Sequence, residues 1–458
     1  MPDHRLGFQT LDHELEPTLL KVEGALPTWL TGALLRTGPA RFEVGGRNYQ
    51  HWFDGLAMLH RFAFADGTAS YTNRFIQSNA YQAARDSDQI SYSEFATDPC
   101  RSLFKRIATA FHPPSFGNNA NVSIVRQGDE FLALTETPLP VRFDPETLET
   151  LGVAQPAPGQ MTVAHPHRAP ETGEYISYAT HFGPFTTYRV FGQDGRTGRR
   201  RMITKMPVRT PSYMHSFAIT RRYMVLVEFP FTVIPVMIPL SGRPLIENYR
   251  WQPRRGTKFH IIDLSTGDVR ATGHGPALFA FHHVNAFERD GEIVIDLCGY
   301  DDASIIGALY LDNLRTAEYT LPGAMLHRYR LPLRGGDVVR EPLPEAQVEL
   351  PRIDYSRRNG KPYRYVYGVG GLADRITKAD LEQGVVHWSE PGVYPGEPVF
   401  VRTPGTVRED DGVLLSVVLD AEQGTSFLLV LDATDLSEIA RCRVPQHIPF
   451  GFHGNYFR

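Results

Sequence analysis

Four histidines with apolar or aromatic neighbours are the residues of this chain best suited to metal chemistry. They are His165 in TVAHPH, His215 in SYMHSFAIT, His282 in FAFHHVNAFE and His453 in FGFHGNYF. Imidazole is the usual ligand of iron, zinc, copper and nickel. Four neutral imidazoles leave the full charge on a divalent ion. On an octahedral ion they also leave two adjacent positions open, which suits Fe(II) that binds dioxygen or substrate. For any one of them taken alone, a hydrogen-bonded core histidine remains the simpler interpretation.

The four histidines are separated by 50, 67 and 171 residues. No local motif such as H-E-x-x-H joins them, so a shared site requires a fold that brings distant strands together. A β-propeller meets this requirement, because the inner strands of its successive blades converge on one axis.

Three glutamates among apolar residues could orient such histidines. A metal-bound histidine usually donates its second ring N–H to a carboxylate or a carbonyl. Glu136 in LALTETP, Glu349 in VELPRIDY and Glu397 in PGEPVFV lie in apolar segments. A buried carboxylate is costly without a partner. The alternative for each is a strand-end glutamate that faces solvent.

Short apolar strands predict an all-β fold. Seven segments are rich in β-branched and aromatic residues; they are 131–137, 174–180, 223–229, 259–264, 292–298, 413–420 and 426–433. The 40 glycines and 35 prolines, about one residue in six, argue against long helices. At roughly 45–50 residues per blade, the length fits about seven blades of a β-propeller. Two packed β-sandwiches would also fit the strand content.

Two segments have a helical pattern. Residues 98–112 place apolar and basic side chains on opposite faces of a predicted amphipathic helix, and residues 372–382 are a weaker helical prediction. The apolar run 229–240 contains prolines at 230, 235 and 239, which argues against a membrane-spanning helix. We therefore expect helical or loop insertions near 98–117 and 229–250.

Composition excludes several classes of protein. Apolar residues are 42% and charged residues 21%, which excludes a disordered chain. The formal net charge of −4 gives no footprint for nucleic acid. Three scattered cysteines and an N-terminus without an apolar signal segment favour a cytoplasmic protein. No linker-like segment divides the chain, so we expect a single domain over 1–458.

These motifs resemble, nearly end to end, those of the carotenoid cleavage oxygenase family. The similarity is carried, in chain order, by LPTWLTGALLRTGPARFEVG (26–45), YQHWFDGLAMLHRF (49–62), TETP, AHPH, MHSFAIT, FHHVNAFE, EPVFV and FGFHG. HWFDGLAMLH and DPCRSLFKR are most similar to the vertebrate-type β-carotene oxygenases and the retinoid isomerohydrolase. The resemblance implies a seven-bladed β-propeller capped by a dome of loops and helices.

By this resemblance, the four histidines hold a non-haem Fe(II) on the propeller axis, and the three glutamates brace three of them. In FHH we assign His282 rather than His283, because relatives keep the histidine directly after phenylalanine; His167 of AHPH is likewise not assigned. Val122 in NNANVSIV matches a position where a small side chain crowds an open iron site. Thr135 stands where stilbene-cleaving relatives place a lysine that binds a phenol, which argues against a phenolic stilbene.

The reaction implied is oxidative cleavage of a C=C bond in a carotenoid or apocarotenoid, with O₂ as co-substrate and two carbonyl products. Stilbene cleavage and retinoid isomerohydrolysis on the same scaffold are the alternatives. A propeller that binds apolar ligands without chemistry, and a metal-dependent hydrolase, are further hypotheses of other classes. His51, Asp54 and His60 in HWFDGLAMLH are interpreted as structural, since no nucleophile-elbow motif accompanies them.

The lipophilic polyene substrate implies an entrance that faces a membrane. Segments 98–112 and 229–240 resemble the parts of relatives that form such an entrance, and they predict peripheral membrane contact. A core strand and its return would fit 229–240 equally well. Cys100 matches a cysteine that some animal relatives acylate.

Overall fold

Strands dominate the computed structural model, which describes residues 3–99, 117–318, 320–371 and 373–458. Within these residues, the sheets of four to six strands number seven. They follow one another around a ring, each with one edge at the common axis. The seven-bladed β-propeller predicted from the sequence is confirmed.

Each blade is a small sheet of nearly all antiparallel strands. From the innermost strand outward, blade 1 consists of Ser123–Gln127, Glu130–Leu134, Val141–Phe143 and Thr150–Val153; blade 2 of Met161–Thr162 with His167–Arg168, then Tyr175–His181, Thr187–Gln193 and Arg200–Pro207; and blade 3 of Ala218–Ile219, Tyr223–Glu228, Thr257–Asp263, Val269–Gly275 and Gly336–Asp337.

Blades 4 and 5 each contain four strands, listed in the same direction. Blade 4 consists of Phe279–Arg289, Glu292–Tyr300, Met325–Pro332 and Val339–Glu341, and blade 5 of Glu349–Arg352, Tyr365–Gly370, Arg375–Asp380 and Gly384–Trp388.

Blades 6 and 7 combine strands from both ends of the chain. Blade 6 consists of Val393–Pro395 with Val399–Arg402, then Gly412–Asp420, Thr425–Asp432, Glu438–Val444 and Lys21–Gly24, and blade 7 of Gly454–Phe457, Gly32–Arg41, Leu56–Ala65, Thr68–Phe75 and Leu15–Leu19.

Short elements between the strands complete the described structure. Two small sheets pair Glu43–Val44 with Arg47–Asn48 and Phe231–Thr232 with Arg250–Trp251. The α-helices are Asn79–Ser87, Met237–Ser241, Ser304–Ala308, Leu311–Leu314 and Tyr355–Arg358. The 3-10 helices are His4–Phe8, Trp52–Asp54, Ile246–Asn248 and Pro253–Arg255.

The two ends of the chain close the ring. In blade 7 the C-terminal strand Gly454–Phe457 pairs with Gly32–Arg41, so that Arg36 stands opposite Gly454. In blade 6 the N-terminal strand Lys21–Gly24 pairs with Glu438–Val444. Closure therefore depends on hydrogen bonds between segments more than 400 residues apart.

Burial explains why the central strands are so apolar. All nine residues of Gly412–Asp420 are buried, as are nine of the eleven in Phe279–Arg289. No residue of the outer strand Arg200–Pro207 is fully buried. A strand covered on both faces by neighbouring blades is mostly apolar, and its buried polar residues need partners, whereas an outer strand needs only one apolar face.

One local prediction is wrong. A helix was predicted over 372–382, but residues Arg375–Asp380 form a strand. This strand pairs with Tyr365–Gly370 on one side and with Gly384–Trp388 on the other. A short amphipathic run is ambiguous between helix and strand, and pairing partners on both sides decide for the strand. From residue 100 on, the predicted helix over 98–112 lies outside the described residues, as does Cys100.

The predicted insertion at 229–250 departs from the blade pattern between two strands of blade 3. Phe229, Phe231 and Val233 are buried in it. Four of the next five apolar side chains, prolines aside, are 45–70% exposed, namely Ile234, Val236, Met237 and Leu240, whereas Ile238 packs partly buried against the core. The core interpretation of 229–240 therefore describes only the first half of the run. Among the described residues, no helix has both the length and the apolar character needed to cross a bilayer.

Blade 7 offers a matched test of the contribution of the core to ring closure. Leu34 is fully buried on the strand that pairs with the C-terminal strand, and Leu19 is 72% exposed on the outer strand of the same blade. We expect Leu34→Ala to lower the free energy of unfolding by about 2–5 kcal/mol, because it leaves a cavity. Leu19→Ala is the control, and urea denaturation compares the two. Equal effects would contradict this account of the core.

Candidate metal centre

The four histidines separated in sequence meet at one point. One ring nitrogen from each of His165, His215, His282 and His453 lies within 4.8 Å of the corresponding atoms of the others. The Nε2 atoms of His165 and His215 are 3.1 Å apart, and those of His282 and His453 are 3.0 Å apart. Two nitrogens about 2.1 Å from one ion and at a right angle stand about 3 Å apart, so these spacings fit ligands of a shared metal.

Each of the seven blades contributes one residue to this cluster and its supports. Blades 2, 3, 4 and 7 contribute the histidines, each on or beside the innermost strand of its blade. Blades 1, 5 and 6 contribute the three glutamates of the sequence analysis, Glu136, Glu349 and Glu397. The ring brings together seven residues that the sequence spreads over more than 300 positions.

Each glutamate accepts a hydrogen bond from the Nδ1–H of one histidine. The pairs are His215 with Glu136 at 2.8 Å, His282 with Glu349 at 2.5 Å, and His453 with Glu397 at 2.6 Å. An ionised carboxylate can only accept, so Nδ1 carries the proton and Nε2 presents its lone pair to the centre. His165 has no carboxylate partner among the described residues.

The facing lone pairs make the cluster a site for a cation. The Nε2 atoms of His282 and His453 both lack a proton, so two hydrogen-bond acceptors face each other across 3.0 Å. Two acceptors at that distance repel unless a proton or a metal ion lies between them. The donor set of four imidazoles suits iron, zinc, copper or nickel. The residues present therefore fit a divalent transition metal.

The bracing glutamates are themselves held in place. Glu397 accepts from the Nε and Nη2 of Arg352 at 2.8 and 3.0 Å and from the backbone N–H of Gly454 at 2.9 Å. Burial alone would raise the pKa of Glu397, but Arg352 and His453 together hold it well below its usual range. Glu397 therefore stays an anion in the interior.

Hydroxyl groups support the other two glutamates. Tyr300 donates to Glu349 and Tyr213 donates to Glu136, both at 2.9 Å. The backbone N–H of Leu350 also donates to Glu349, at 2.8 Å. Burial would raise the pKa of Glu349, yet these donors and its histidine lower it. The sequence analysis did not find the two tyrosines or Arg352, because nothing in their spacing points to the glutamates.

Burial lowers the pKa of two of the clustered histidines, His165 and His453. Burial, followed by the nearby histidines, lowers the pKa of His165 well below its usual value. Burial also lowers the pKa of His453 to about 4, although Glu397 opposes this shift. Neutral imidazole is the form that ligates a metal.

The second histidines of the AHPH and FHHVNAFE motifs, His167 and His283, form hydrogen bonds outside the cluster. His167 donates from Nε2 to the carbonyl oxygen of Phe217 at 2.9 Å, and its Nδ1 lies 3.0 Å from the hydroxyl of Tyr355. The Nδ1 of His283 lies 2.8 Å from the Oγ of Ser216. Neither belongs to the four-histidine cluster.

A largely apolar cavity of about 1090 Å³, part of it open to solvent, reaches the cluster. Val122, His215, His282 and His453 line it. Its walls are mostly aromatic and aliphatic, including Phe8, Phe53, Phe281, Phe450 and Phe452. Thr135 is half-buried and is not among the lining residues. Phe281 and Phe452 directly precede His282 and His453. This adjacency is the sequence signal that could have identified the two phenylalanines as residues of the cavity wall.

The polar side chains of the HWFDGLAMLH segment form hydrogen bonds within the fold. Asp54 accepts hydrogen bonds from the backbone N–H groups of His51 and Ala96 and from the hydroxyl of Thr97. The Nδ1 of His60 lies 2.8 Å from the hydroxyl of Tyr71. Trp52 and Phe53 of this segment also line the cavity, a contribution that was not predicted from the sequence.

Comparisons with known proteins agree with this geometry. The family model described as retinal pigment epithelial membrane protein matches residues 8–458. A mitochondrial carotenoid-cleaving dioxygenase of Macaca fascicularis is 35% identical, over 95% of this chain and 91% of its own. A carotenoid isomerooxygenase of Galleria mellonella is 36% identical, over 99% and 96%. A β,β-carotene 15,15′-dioxygenase of Mus musculus is 33% identical, over 97% and 90%.

Solved structures with the same architecture include an apocarotenoid oxygenase of Synechocystis. The cobalt-substituted form of that enzyme superposes with a TM-score of 0.86 at 28% identity, over 99% of this chain and 98% of its own. The substitution shows that the relative has a metal site that accepts cobalt.

The glutamate–histidine pairs predict how metal affinity responds to mutation. Glu349→Gln replaces an ionic acceptor with a neutral one, so we expect the affinity for Co²⁺ to fall by roughly 10–100-fold. Competition with a chelator, followed by the visible absorbance of bound cobalt, measures this. Glu228→Gln is the matched control, because Glu228 pairs with His260 at 3.0 Å outside the four-histidine cluster. Equal losses in the two variants would contradict a metal-specific role for Glu349.

Proposed function

Because the chain belongs to the carotenoid oxygenase family, we propose that it is a non-haem Fe(II)-dependent dioxygenase that cleaves one C=C bond of a carotenoid or apocarotenoid into two aldehydes. We assign His165, His215, His282 and His453 as the iron ligands, with Glu136, Glu349 and Glu397 as their braces. The observation that carries the proposal is the convergence of four imidazoles at the end of a largely apolar cavity.

Iron held by the four histidines would supply the activation of dioxygen. The chain supplies the rest. The glutamates fix which nitrogen of His215, His282 and His453 faces the ion. The aromatic walls hold a rigid polyene beside it and exclude water. Val122, which lines the cavity next to the histidines, limits the space left beside the ion.

The cavity offers no free acid or base for proton transfer within the described residues. Its ionisable lining side chains are His215, His282, His453, Glu349 and Tyr300. The histidines belong to the cluster, Glu349 braces one of them, and Tyr300 donates to Glu349. Addition of both oxygen atoms of O₂ across a double bond needs no proton, whereas hydrolysis does. This favours the dioxygenase over a hydrolase.

The AHPH motif provides a paired test of the iron ligands. We expect His165→Ala to lose iron and to lower aldehyde formation by roughly 100-fold or more, because a ligand is removed. His167→Ala should keep its iron, since both nitrogens of His167 bond elsewhere. Iron per folded protein and chromatography of products from a panel of C40 carotenoids, apocarotenals and stilbenes measure the two effects. Iron retained by His165→Ala, or turnover that persists without O₂, would contradict the proposal.

We further propose that the exposed apolar residues of 234–240 contact a membrane that holds the lipophilic substrate. Ile234, Val236, Met237 and Leu240 are 45–70% exposed and adjoin the short helix Met237–Ser241. Several large apolar side chains exposed on one segment mark an interaction surface, whereas single ones are normal. A membrane is the occupant that fits a substrate insoluble in water.

Liposome co-sedimentation tests this surface. We expect the double variant Ile234→Ser and Leu240→Ser to bind neutral phosphatidylcholine vesicles several-fold more weakly, because it buries less apolar area in the bilayer. Leu19→Ser with Val407→Ser removes two aliphatic side chains of similar exposure, 72% and 85%, outside this segment and is the control. Equal binding by both double variants would rule out 234–240 as the contact.

A further inference from the structure

A second cavity lies behind the wall of the first. Its empty space, part of it open to solvent, is about 360 Å³, and it shares Gly396, Phe450 and Gly451 with the cavity that reaches the histidine cluster. Arg36 and His60 are the ionisable residues that line it. None of the functions discussed above uses this cavity.

The guanidinium of Arg36 is buried there almost without partners. Arg36 is 5% exposed, and its hydrogen bond is a long one, 3.3 Å from Nη2 to the carbonyl oxygen of Phe452. Its Nη1 is buried without any hydrogen-bond partner. Within the described residues, no carboxylate lies within the 4.0 Å limit of an ion pair with it. A guanidinium carries five N–H donors and stays protonated in proteins, so most of its donors and its whole charge are unmatched.

The nearest carboxylate cannot compensate this charge. Glu397 interacts with Arg36 only at longer range. Its two oxygens already accept four hydrogen bonds, two from Arg352, one from His453 and one from Gly454. A carboxylate has about four lone-pair sites, so Glu397 is saturated. Two arginines against one glutamate leave a net charge of +1 in the interior.

His60 does not reduce this charge and offers a further donor. Burial, and then the charge of Arg36, lowers the pKa of His60 to about 3, so its ring is neutral at ordinary pH. Its Nδ1 bonds with the hydroxyl of Tyr71. Its Nε2 has no hydrogen-bond partner among the described residues. A protonated Nε2 can therefore donate to a guest of the cavity.

Glycines make room for a guest beside the guanidinium. A Cβ added to Gly396 would stand 3.6 Å from the Nη2 of Arg36, and one added to Gly451 would stand 3.7 Å from it. Gly38 approaches the backbone of Gly451 so closely that a Cβ there would lie 3.0 Å from its Cα. The guanidinium is therefore bordered at Gly396 and Gly451 by backbone that carries no side chain.

We propose that this cavity binds a small monovalent anion, of the chloride class, against Arg36. Water alone could accept the free N–H groups but would leave the buried charge uncompensated, which is costly in an apolar interior. One negative charge balances the net charge counted above. The anion then lies behind the shared wall of the metal cavity and stabilises the fold without taking part in the reaction.

Crystals of the iron-loaded full chain, soaked in bromide at about 0.15 M, provide a direct test. Diffraction at the bromine edge should show an anomalous peak within hydrogen-bonding distance of the Arg36 guanidinium. Ordered water there without anomalous signal would overturn the proposal. A peak that grows in only at molar bromide, with no effect of chloride on the melting temperature, would mark an adventitious ion and would also overturn it.

Thermal unfolding of the same holoenzyme supplies the second readout. Replacing methanesulfonate by chloride at constant ionic strength should raise Tm by roughly 1–4 °C, because the anion binds the folded state. Arg36→Met should abolish the rise, and Arg36→Lys, which keeps the charge, should retain part of it. Arg74→Met in the same blade is the control, because Arg74 is paired with Glu16 at the surface. A chloride response that survives in Arg36→Met would overturn the proposal.

Discussion

The structure depends on holding four imidazole rings against one another. One nitrogen of each ring lies within 4.8 Å of the others, and the Nε2 atoms of His282 and His453, which both accept, are 3.0 Å apart. Three glutamates, each bonded to the opposite ring nitrogen, prevent His215, His282 and His453 from turning away or changing tautomer. A cation held by these rings would remove the repulsion between the facing acceptors, so the rigid arrangement favours metal binding.

The ring supplies that rigidity. Every blade contributes one histidine or one glutamate, so a displacement of any blade would move one member of the cluster or of its braces. His453 precedes the closing strand Gly454–Phe457, which places a proposed ligand at the joint between the two ends of the chain. Closure of the ring and completion of the site are therefore the same event.

Charge around the centre is balanced unevenly. Arg352 neutralises Glu397 through two hydrogen bonds, while Arg36, which interacts with the same carboxylate only at longer range, keeps its charge. The cavity on the metal side is mostly aromatic and aliphatic, and the cavity on the Arg36 side is small and walled by backbone. Gly396, Phe450 and Gly451 separate the two. The two cavities can thus bind an apolar substrate and an anion on opposite sides of this shared wall without competition.

The pattern of apolar strands predicted an all-β fold, and the histidine and glutamate motifs predicted a metal site. Alternating apolar segments and frequent turn residues reflect burial between blades, and histidines and glutamates in apolar surroundings must find polar partners there. Tertiary structure decided which partners they find. Only the ring sets His282 against Glu349 and turns His167 and His283 away. Only strand pairing on both sides makes a strand of Arg375–Asp380, where local periodicity favoured a helix. The roles of Arg352, Tyr213 and Tyr300 were not predictable from the sequence for the same reason. These roles depend on distances between residues remote in sequence, and local patterns carry no information about such distances.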